Sequence, residues 1–384
     1  TAWYLKASKY IQNTKIKVAF VSTNSIVQGE QVGILWKELF SNYGIKIHFA
    51  HQTFNWSNEA KSNAAVHVVI IGFAQFDSTN KRIFEYENIK SNAHEKSAKN
   101  INAYLVEGDD IVIEKRRKPL CNVLNIIKGN YYAKSEGLII EEKDLDYLVK
   151  NEPNAKKWIK LLIGADEFIN NRKRYCLWLV DCPPDELRKM PLVMERVNRV
   201  REDRLKSTDK GMQNLAPIRF RETNNPDKCI VIPVVSSEKR PYIPIGFIDK
   251  NTISTNGNLI IPNGDLFLFG QLTSLMHMAW VKYTCGRLKS DYRYSKDLVY
   301  NNYPFPKNVS EKQKKAVEEK AQNVLDIRAS FSDCSLADLY DPLSMPPNLK
   351  KAHQELDKAV DNCYGSKSFK NDKERIEFLF GLYE

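Results

Sequence analysis

Residues 287–294, Arg-Leu-Lys-Ser-Asp-Tyr-Arg-Tyr, alternate charged or polar side chains with large apolar ones. That alternation predicts a β-strand that buries Leu288, Tyr292 or Tyr294 and presents Lys289, Asp291 and Arg293 together on its other face. Lysine matches the acceptor edge of guanine and a carboxylate matches the cytosine amine, so a Lys/Asp pair suits one G·C base pair. The pattern also fits a solvated edge strand with internal ion pairs, and composition alone favours that reading. A second stretch, His51-Gln52-Thr53-Phe54-Asn55-Trp56-Ser57-Asn58-Glu59, sets two aromatics beside polar amides at a strand end. Phe54 and Trp56 there can stack on a planar ligand or base, or plug the end of a sheet. Ser22, Thr23 and Asn24, at an earlier strand end, suit a ligand-lining loop or a helix cap.

The elements that must hold these residues follow from periodicity. Leu272, Leu275, Met276, Ala279, Trp280 and Tyr283 recur at helical spacing just before the charged stretch, and Gly286 suits the helix C-terminus. Near the start, the apolar run in residues 17–24 (KVAFVSTN) predicts a strand buried on both faces, as in a parallel sheet covered by helices. Gln28–Tyr43 reads as an amphipathic helix closed by Gly44. Strands are expected at Ile45–Phe54 and Ala64–Phe73, joined by the polar segment NWSNEAKSN, with His67 as a core histidine. Strand, helix, strand, strand makes half of an α/β domain ending in an antiparallel hairpin, with the N-terminal half of a doubly wound sheet absent.

The middle of the chain reads as α+β. Apolar strands are expected at Cys176–Val180, Cys229–Val235, Tyr242–Phe247 and Asn258–Ile261. Pro183-Pro184 should open a helix running to about Lys206. Arg196, Arg199, Arg201 and Arg204 on it either pair with Glu195, Glu202 and Asp203 or supply salt-sensitive phosphate contacts. Arg172, Arg174, Arg199 and Arg287 are the phosphate candidates, while Lys115–Lys118 suits phosphate or a solvated linker. The last part is helical: Val309–Arg328, capped by Ser310 with Gln313, then Asn348–Tyr364 and Lys370–Tyr383.

The chain has 384 residues, 42% hydrophobic and 27% charged, enough for two or three cores. Its formal charge of +11 favours a polyanionic partner. No apolar run approaches membrane-spanning length. The seven cysteines form no C-x-x-C pair or metal-ligand cluster and read as reduced, mostly buried thiols of a cytoplasmic protein. Thr1 is not an initiator methionine and the first residues read as a helix under way, so a fragment or processed piece is expected.

AFVSTNSIVQGEQVGILWKELF and FAHQTFNWSNEAKSNAAVHVVIIGF resemble the later catalytic motifs of the MmeI-type restriction-modification enzymes. LTSLMHMAWVKYTCGRLKSDYRYSKDLVYNNYPFP, SLADLYDPLSMPPNLKKAHQELDKAVD and ERIEFLFGLYE resemble that family's recognition and C-terminal segments, so the likeness runs almost end to end. The family joins a nuclease, a gamma-class adenine-N6 DNA methyltransferase and a target recognition domain.

The resemblance implies a fold and a division of labour. Residues 1–109 would be the C-terminal half of a Rossmann-like methyltransferase sheet, 110–307 an α+β target recognition domain, and 308–384 a helical C-terminal segment. Thr53-Phe54-Asn55-Trp56 matches the wall of the target-base pocket, where Phe54 first and Trp56 second would stack on a flipped base. Lys289, Asp291 and Arg293 fall at family base-reading positions, which turns the balance toward base reading. The glycine-rich S-adenosylmethionine motif and the Asn-Pro-Pro-aromatic motif are both missing: Pro183-Pro184 follows Cys182 and Pro346-Pro347 follows Met345. The expectation is therefore a double-stranded DNA reader that needs an N-terminal methyltransferase half, in the same or a separate chain, and binds S-adenosylmethionine poorly alone. The alternative is a non-catalytic specificity subunit serving a separate catalytic chain.

Overall fold

The computed structural model describes residues 1–56, 66–86, 91–365 and 368–383. The chain divides into two compact units, one of residues 1–122, 275–307 and 364–384, the other of 123–274 and 308–363.

The first unit begins with α1 (Ala2–Tyr10), β1 (Val18–Thr23), α2 (Glu30–Tyr43), β2 (Lys46–Trp56), β3 (Val66–Ala74), β4 (Lys81–Tyr86) and β5 (Ala93–Ala98). The sheet order is β1-β3-β2-β4-β5. β3 is antiparallel to both β1 and β2, so those two run parallel with β3 inserted between them. β2 is parallel to β4, and β4 is antiparallel to β5. α2 forms where the 3.6-residue pattern predicted, with Val32, Leu35, Trp36 and Leu39 buried. Gly44 ends it in the left-handed region at φ 60° and donates its amide to the Leu39 carbonyl.

β1 departs from expectation. It alternates half-buried and exposed residues instead of being covered on both faces, and its neighbour β3 is antiparallel. α1 and α2 shield one face only: Phe20 meets the Tyr4 ring at 5.0 Å, and Tyr4 stacks on Phe73 at 5.5 Å. Val21, on the opposite face, is 51% exposed. His67 is half-buried on β3 and not enclosed. The polar segment expected between β2 and β3 lies, from Ser57 to Ala65, outside the described residues.

The same unit holds the helix Leu275–Thr284 and a hairpin of strands Gly286–Leu288 and Asp291–Arg293. The helical spacing read from Leu272 to Tyr283 spans a break: the helix Leu266–Leu272, assigned to the second unit, ends before Leu275–Thr284 begins. Gly286 begins a strand and caps no helix.

The second unit contains two four-stranded sheets. Strands Gly246–Asp249, Lys228–Pro233, Asn258–Pro262 and Ile127–Lys128 form one, all antiparallel. Thr252–Ser254, Ile159–Ile163, Arg174–Leu177 and Ile139–Glu141 form the other, whose first pair is parallel. The helix expected from Pro183 to Lys206 is interrupted: Pro184–Leu187 and Pro191–Leu205 are separate. Pro191 disfavours the helical conformation at Met190, which sits at φ −117°, ψ 82°. The buried Glu152 carboxylate accepts from the amides of Leu192 (3.1 Å) and Val193 (2.8 Å), capping the second helix. Helices Glu311–Ala329 and Pro347–Cys363 complete this unit, and Asp372–Tyr383 belongs to the first. Ser310 and Gln313 form the capping box read from sequence.

All seven cysteines are free thiols, and only Cys334 is exposed outright. Among the described residues no helix is long and apolar enough to cross a membrane, and no cluster of three His, Cys, Asp or Glu could hold a metal.

Candidate nucleic-acid interface

The charged stretch is a tight hairpin instead of one strand. Gly286, Arg287 and Leu288 pair with Arg293, Tyr292 and Asp291, leaving Lys289 and Ser290 as the turn. Lys289 sits at φ 57°, the left-handed region a two-residue hairpin turn demands. Period-2 geometry therefore reaches only Asp291 and Arg293, which share a face with Tyr292 turned the other way. Lys289 leaves that face and stands exposed at the tip. Leu288, expected inside, is 50% exposed, whereas Tyr292 and Tyr294 are each 3% exposed.

The buried side of the hairpin is firmly seated. The Tyr294 hydroxyl lies 2.9 Å from Nε2 of His277, which is fully enclosed on the helix Leu275–Thr284. Tyr303 meets the His277 ring edge-on at 4.6 Å. Burial pushes His277 down to about 3, so its imidazole is neutral at physiological pH. Trp280 donates its indole N–H to the Val299 carbonyl at 3.0 Å. A reading element benefits from such support, because side chains on a floating loop pay ordering entropy on binding.

The aromatic stretch ends β2. Two residues, Gln52 and Thr53, oppose one on β3, making a bulge between His51 and Phe54. Three-residue spacing would ordinarily put His51 and Phe54 on opposite faces, but the bulge brings their rings to 6.1 Å. Gln52 anchors the bulge by donating to the Leu105 carbonyl at 2.9 Å. Phe54 is half-buried and stacks on Tyr86 of β4 at 5.1 Å with 21° between planes. Trp56 is 44% exposed and lies 6.2 Å from Phe54. The Tyr86 hydroxyl is 2.8 Å from His51 Nδ1. Burial lowers the His51 pKa, favouring the neutral ring. Tyr86 and Phe84 were missed in the sequence; the alternating aromatics of residues 81–86 were the available signal.

Ser22 turns inward, its hydroxyl 3.1 Å from the Tyr4 hydroxyl, while Thr23 bonds Ser25 at 2.8 Å. Asn24 opens a 3-10 turn to Val27 in which Ile26 and Val27 are buried. Gly29 follows at φ 62°, and a Cβ there would lie 2.8 Å from Gly286 Cα. The glycine after β1 thus serves close packing, and this turn offers no glycine-rich cradle for S-adenosylmethionine.

The four phosphate candidates fall into two kinds. Arg172 and Arg199 are exposed, in surface ion pairs with Asp166 (2.8 Å) and Glu195 (3.6 Å) that water and salt weaken. Arg174 is turned inward to Glu167 at 2.9 Å and lies over the Tyr132 ring. Arg287 is also engaged, its guanidinium 3.9 Å from the Tyr292 ring centroid. Of the other arginines on the helix, Arg204 is buried and donates to the carbonyls of Lys134, Leu215, Ala216 and Arg219, so it organises the 215–219 loop.

Three family descriptions match along the chain: MmeI, DNA-methyltransferase domain over residues 1–85; MmeI, target recognition domain over 107–307; and MmeI, C-terminal domain over 309–384. The chain belongs to the MmeI family. One member-like relative, DNA methyltransferase A of Bacillus subtilis (strain 168), is 42% identical over 388 residues, covering 100% of this chain and 43% of the relative. The type IIL restriction-modification enzyme MmeI, solved in complex with DNA, is 47% identical with a TM-score of 0.87, covering 100% of this chain and 51% of that one. The chain spans about half the length of the MmeI-family relatives it matches. The hairpin and all four phosphate candidates lie within the stretch matched by the target recognition description, and β1 to β3 with all but the last residue of β4 lie within the methyltransferase stretch.

Proposed function

We propose that this chain carries the sequence-reading part of a bacterial adenine-N6 DNA methyltransferase or combined restriction-modification enzyme, together with the C-terminal half of its Rossmann-like methyltransferase sheet. In this reading residues 1–109 are the methyltransferase half, 110–307 the target recognition domain and 308–384 a helical C-terminal segment. Asp291, Arg293 and Lys289 address base edges in duplex DNA. Arg172 and Arg199 contact phosphate, and Phe54 with Trp56 walls the pocket for a flipped base. Arg174 and Arg287, the other phosphate candidates, act mainly by holding their own surroundings.

The observation that carries the reading is the hairpin, which sets Asp291 and Arg293 on one face above buried Tyr292 and Tyr294, inside the stretch matched by the target recognition family. The order of β1, α2, β2 and β3, with β3 inserted antiparallel between β1 and β2, supports an α/β half-sheet. S-adenosylmethionine is assigned to the complete enzyme. These residues contain no Asn-Pro-Pro-aromatic sequence to hold an adenine amine, so methyl transfer is assigned to the chain only together with a methyltransferase half. The second reading, a DNA specificity subunit for a separate catalytic chain, rests on that same lack of catalytic motifs.

The test is selection of bound duplexes from a randomised pool at two salt concentrations. Enrichment of a short motif containing adenine is expected. Salt-sensitive binding without enrichment would reduce the chain to a basic surface, and no binding at low salt would overturn independent DNA reading.

A further inference from the structure

The sheet of the first unit carries a hollow of about 610 Å³ on the face away from α1 and α2. Its floor is aromatic. Phe49 lies flat across Gly72, where a Cβ would fall 2.0 Å from the ring, so only glycine leaves the floor open. His51 stacks on Phe84 at 4.2 Å with 6° between planes and meets Phe49 edge-on at 6.4 Å. The rim carries Lys17 and Arg82, and among the described residues no carboxylate lines the hollow. Lys17 is exposed and, among the described residues, has no acidic partner; its ammonium rests 5.9 Å from the Phe76 ring. Arg82 has a loose surface pair with Glu95 at 3.3 Å.

The hollow adjoins the Phe54 wall through His51, which belongs to both, but opens at the other end of the strands. β1 and β2 run parallel, and the hollow takes Lys17 and Phe49 from their amino-terminal parts, whereas Phe54 and Trp56 end β2 at its carboxyl end. Ligands of open α/β sheets ordinarily gather at the carboxyl ends, so this is a second location. Its volume falls in the range of small-molecule sites, about 300–1,000 Å³. An aromatic floor beside Lys17 and the loosely paired Arg82 matches a planar ring bearing an anionic group.

We propose that this hollow binds a nucleotide, its base stacked on Phe49 against the edges of the His51–Phe84 pair and its phosphate held by Lys17 and Arg82. Stacking is tolerant of base identity, so the site recognises nucleotides as a class. The same chemistry is offered by a free mononucleotide and by an unpaired nucleotide within a strand.

Calorimetric titration of the chain with AMP and dTMP tests this directly. One nucleotide per chain is expected, with adenosine and inorganic phosphate each at least about tenfold weaker. Lys17→Glu combined with Arg82→Glu, both exposed positions, should weaken binding by about a hundredfold while leaving the melting temperature in place. Phe84→Leu should weaken AMP but not phosphate. A short single-stranded oligonucleotide that binds more tightly than AMP and competes with it assigns the site to a strand; AMP binding that the oligonucleotide cannot displace assigns it to the free nucleotide. No nucleotide heat at millimolar concentration, equal binding of phosphate alone, or indifference to the double charge reversal would each overturn the proposal.

Discussion

The Arg287 guanidinium lies over the ring of Tyr292, 3.9 Å from its centroid, and donates to the Ser290 carbonyl at 3.0 Å. The two residues are directly opposed across the hairpin, so the contact ties both strands and the turn together. A charge spent this way is a brace before it is a phosphate ligand. Cation–π contacts of this kind contribute roughly 0.5–2 kcal/mol. Arg287→Ala is therefore expected to lower stability by about that much and to broaden base preference, while the dependence of binding on salt changes little. A loss of about one unit of salt slope with unchanged stability would assign Arg287 to phosphate instead.

Asp291 and Arg293 share a face, and Lys289 approaches from the turn. Reversing the charges with Lys289→Glu and Asp291→Arg should change the preferred base pair at one position, by roughly 1–3 kcal/mol per bidentate contact. Selection from randomised duplexes reads this out. Lys289→Gly is the control for backbone, since glycine accepts the φ of 57° without strain. It should keep the fold and lose only what the lysine side chain supplies. An unchanged preference in the charge-reversed protein would remove these residues from the reading set.

The features legible in the sequence were those fixed locally. α2 and its Gly44 cap follow from a 3.6-residue pattern and a glycine at its end, and the Ser310/Gln313 box follows from two residues three apart. The hairpin was illegible because Lys289-Ser290 carries none of the Asn-Gly or Asp-Gly signals that mark such turns. Its alternation fits a continuous strand equally well. The coverage of β1 was misread because an apolar run does not reveal which face a helix takes. Tyr86 joins Phe54 through the β2–β4 pairing, a contact between residues 32 apart in chain numbering that local pattern cannot supply. The bulge at Gln52-Thr53, which turns Phe54 onto the His51 side, has no side-chain signature at all.

Phe54 owes its position to Tyr86, which stacks beneath it and is itself held by His51. In a protein completed with the methyltransferase half, Phe54→Ala should reduce methylation well beyond its effect on DNA binding, because a base-stacking contact matters only once the base is flipped. The stacking contribution is about 1–3 kcal/mol, or roughly a fivefold to 150-fold loss of rate. Tyr86→Phe keeps the stack and removes the hydroxyl, so it should cost much less. Equal loss of binding and methylation in Phe54→Ala would mark that ring as structural.

His277 and His353 give stability a pH dependence of definite sign. Both are fully enclosed, one bonded to the Tyr294 hydroxyl at 2.9 Å and the other to the Tyr340 hydroxyl at 2.8 Å. Burial pushes each down to about 3, aided at His353 by the nearby Arg328 charge. The unfolded chain binds these protons near the ordinary value of about 6.5, and the folded protein refuses them until near 3. Their stabilisation is therefore complete above about pH 6.5. It is lost as pH falls toward 3, at up to about 1.4 kcal/mol per pH unit for each histidine. Denaturant unfolding followed from pH 7.5 to 4.5 should show midpoints falling with acid. His353→Gln is expected to be less stable at neutral pH yet to show a shallower slope for the unit that contains it. A slope unaltered in both His277→Gln and His353→Gln would show that other groups set the acid sensitivity.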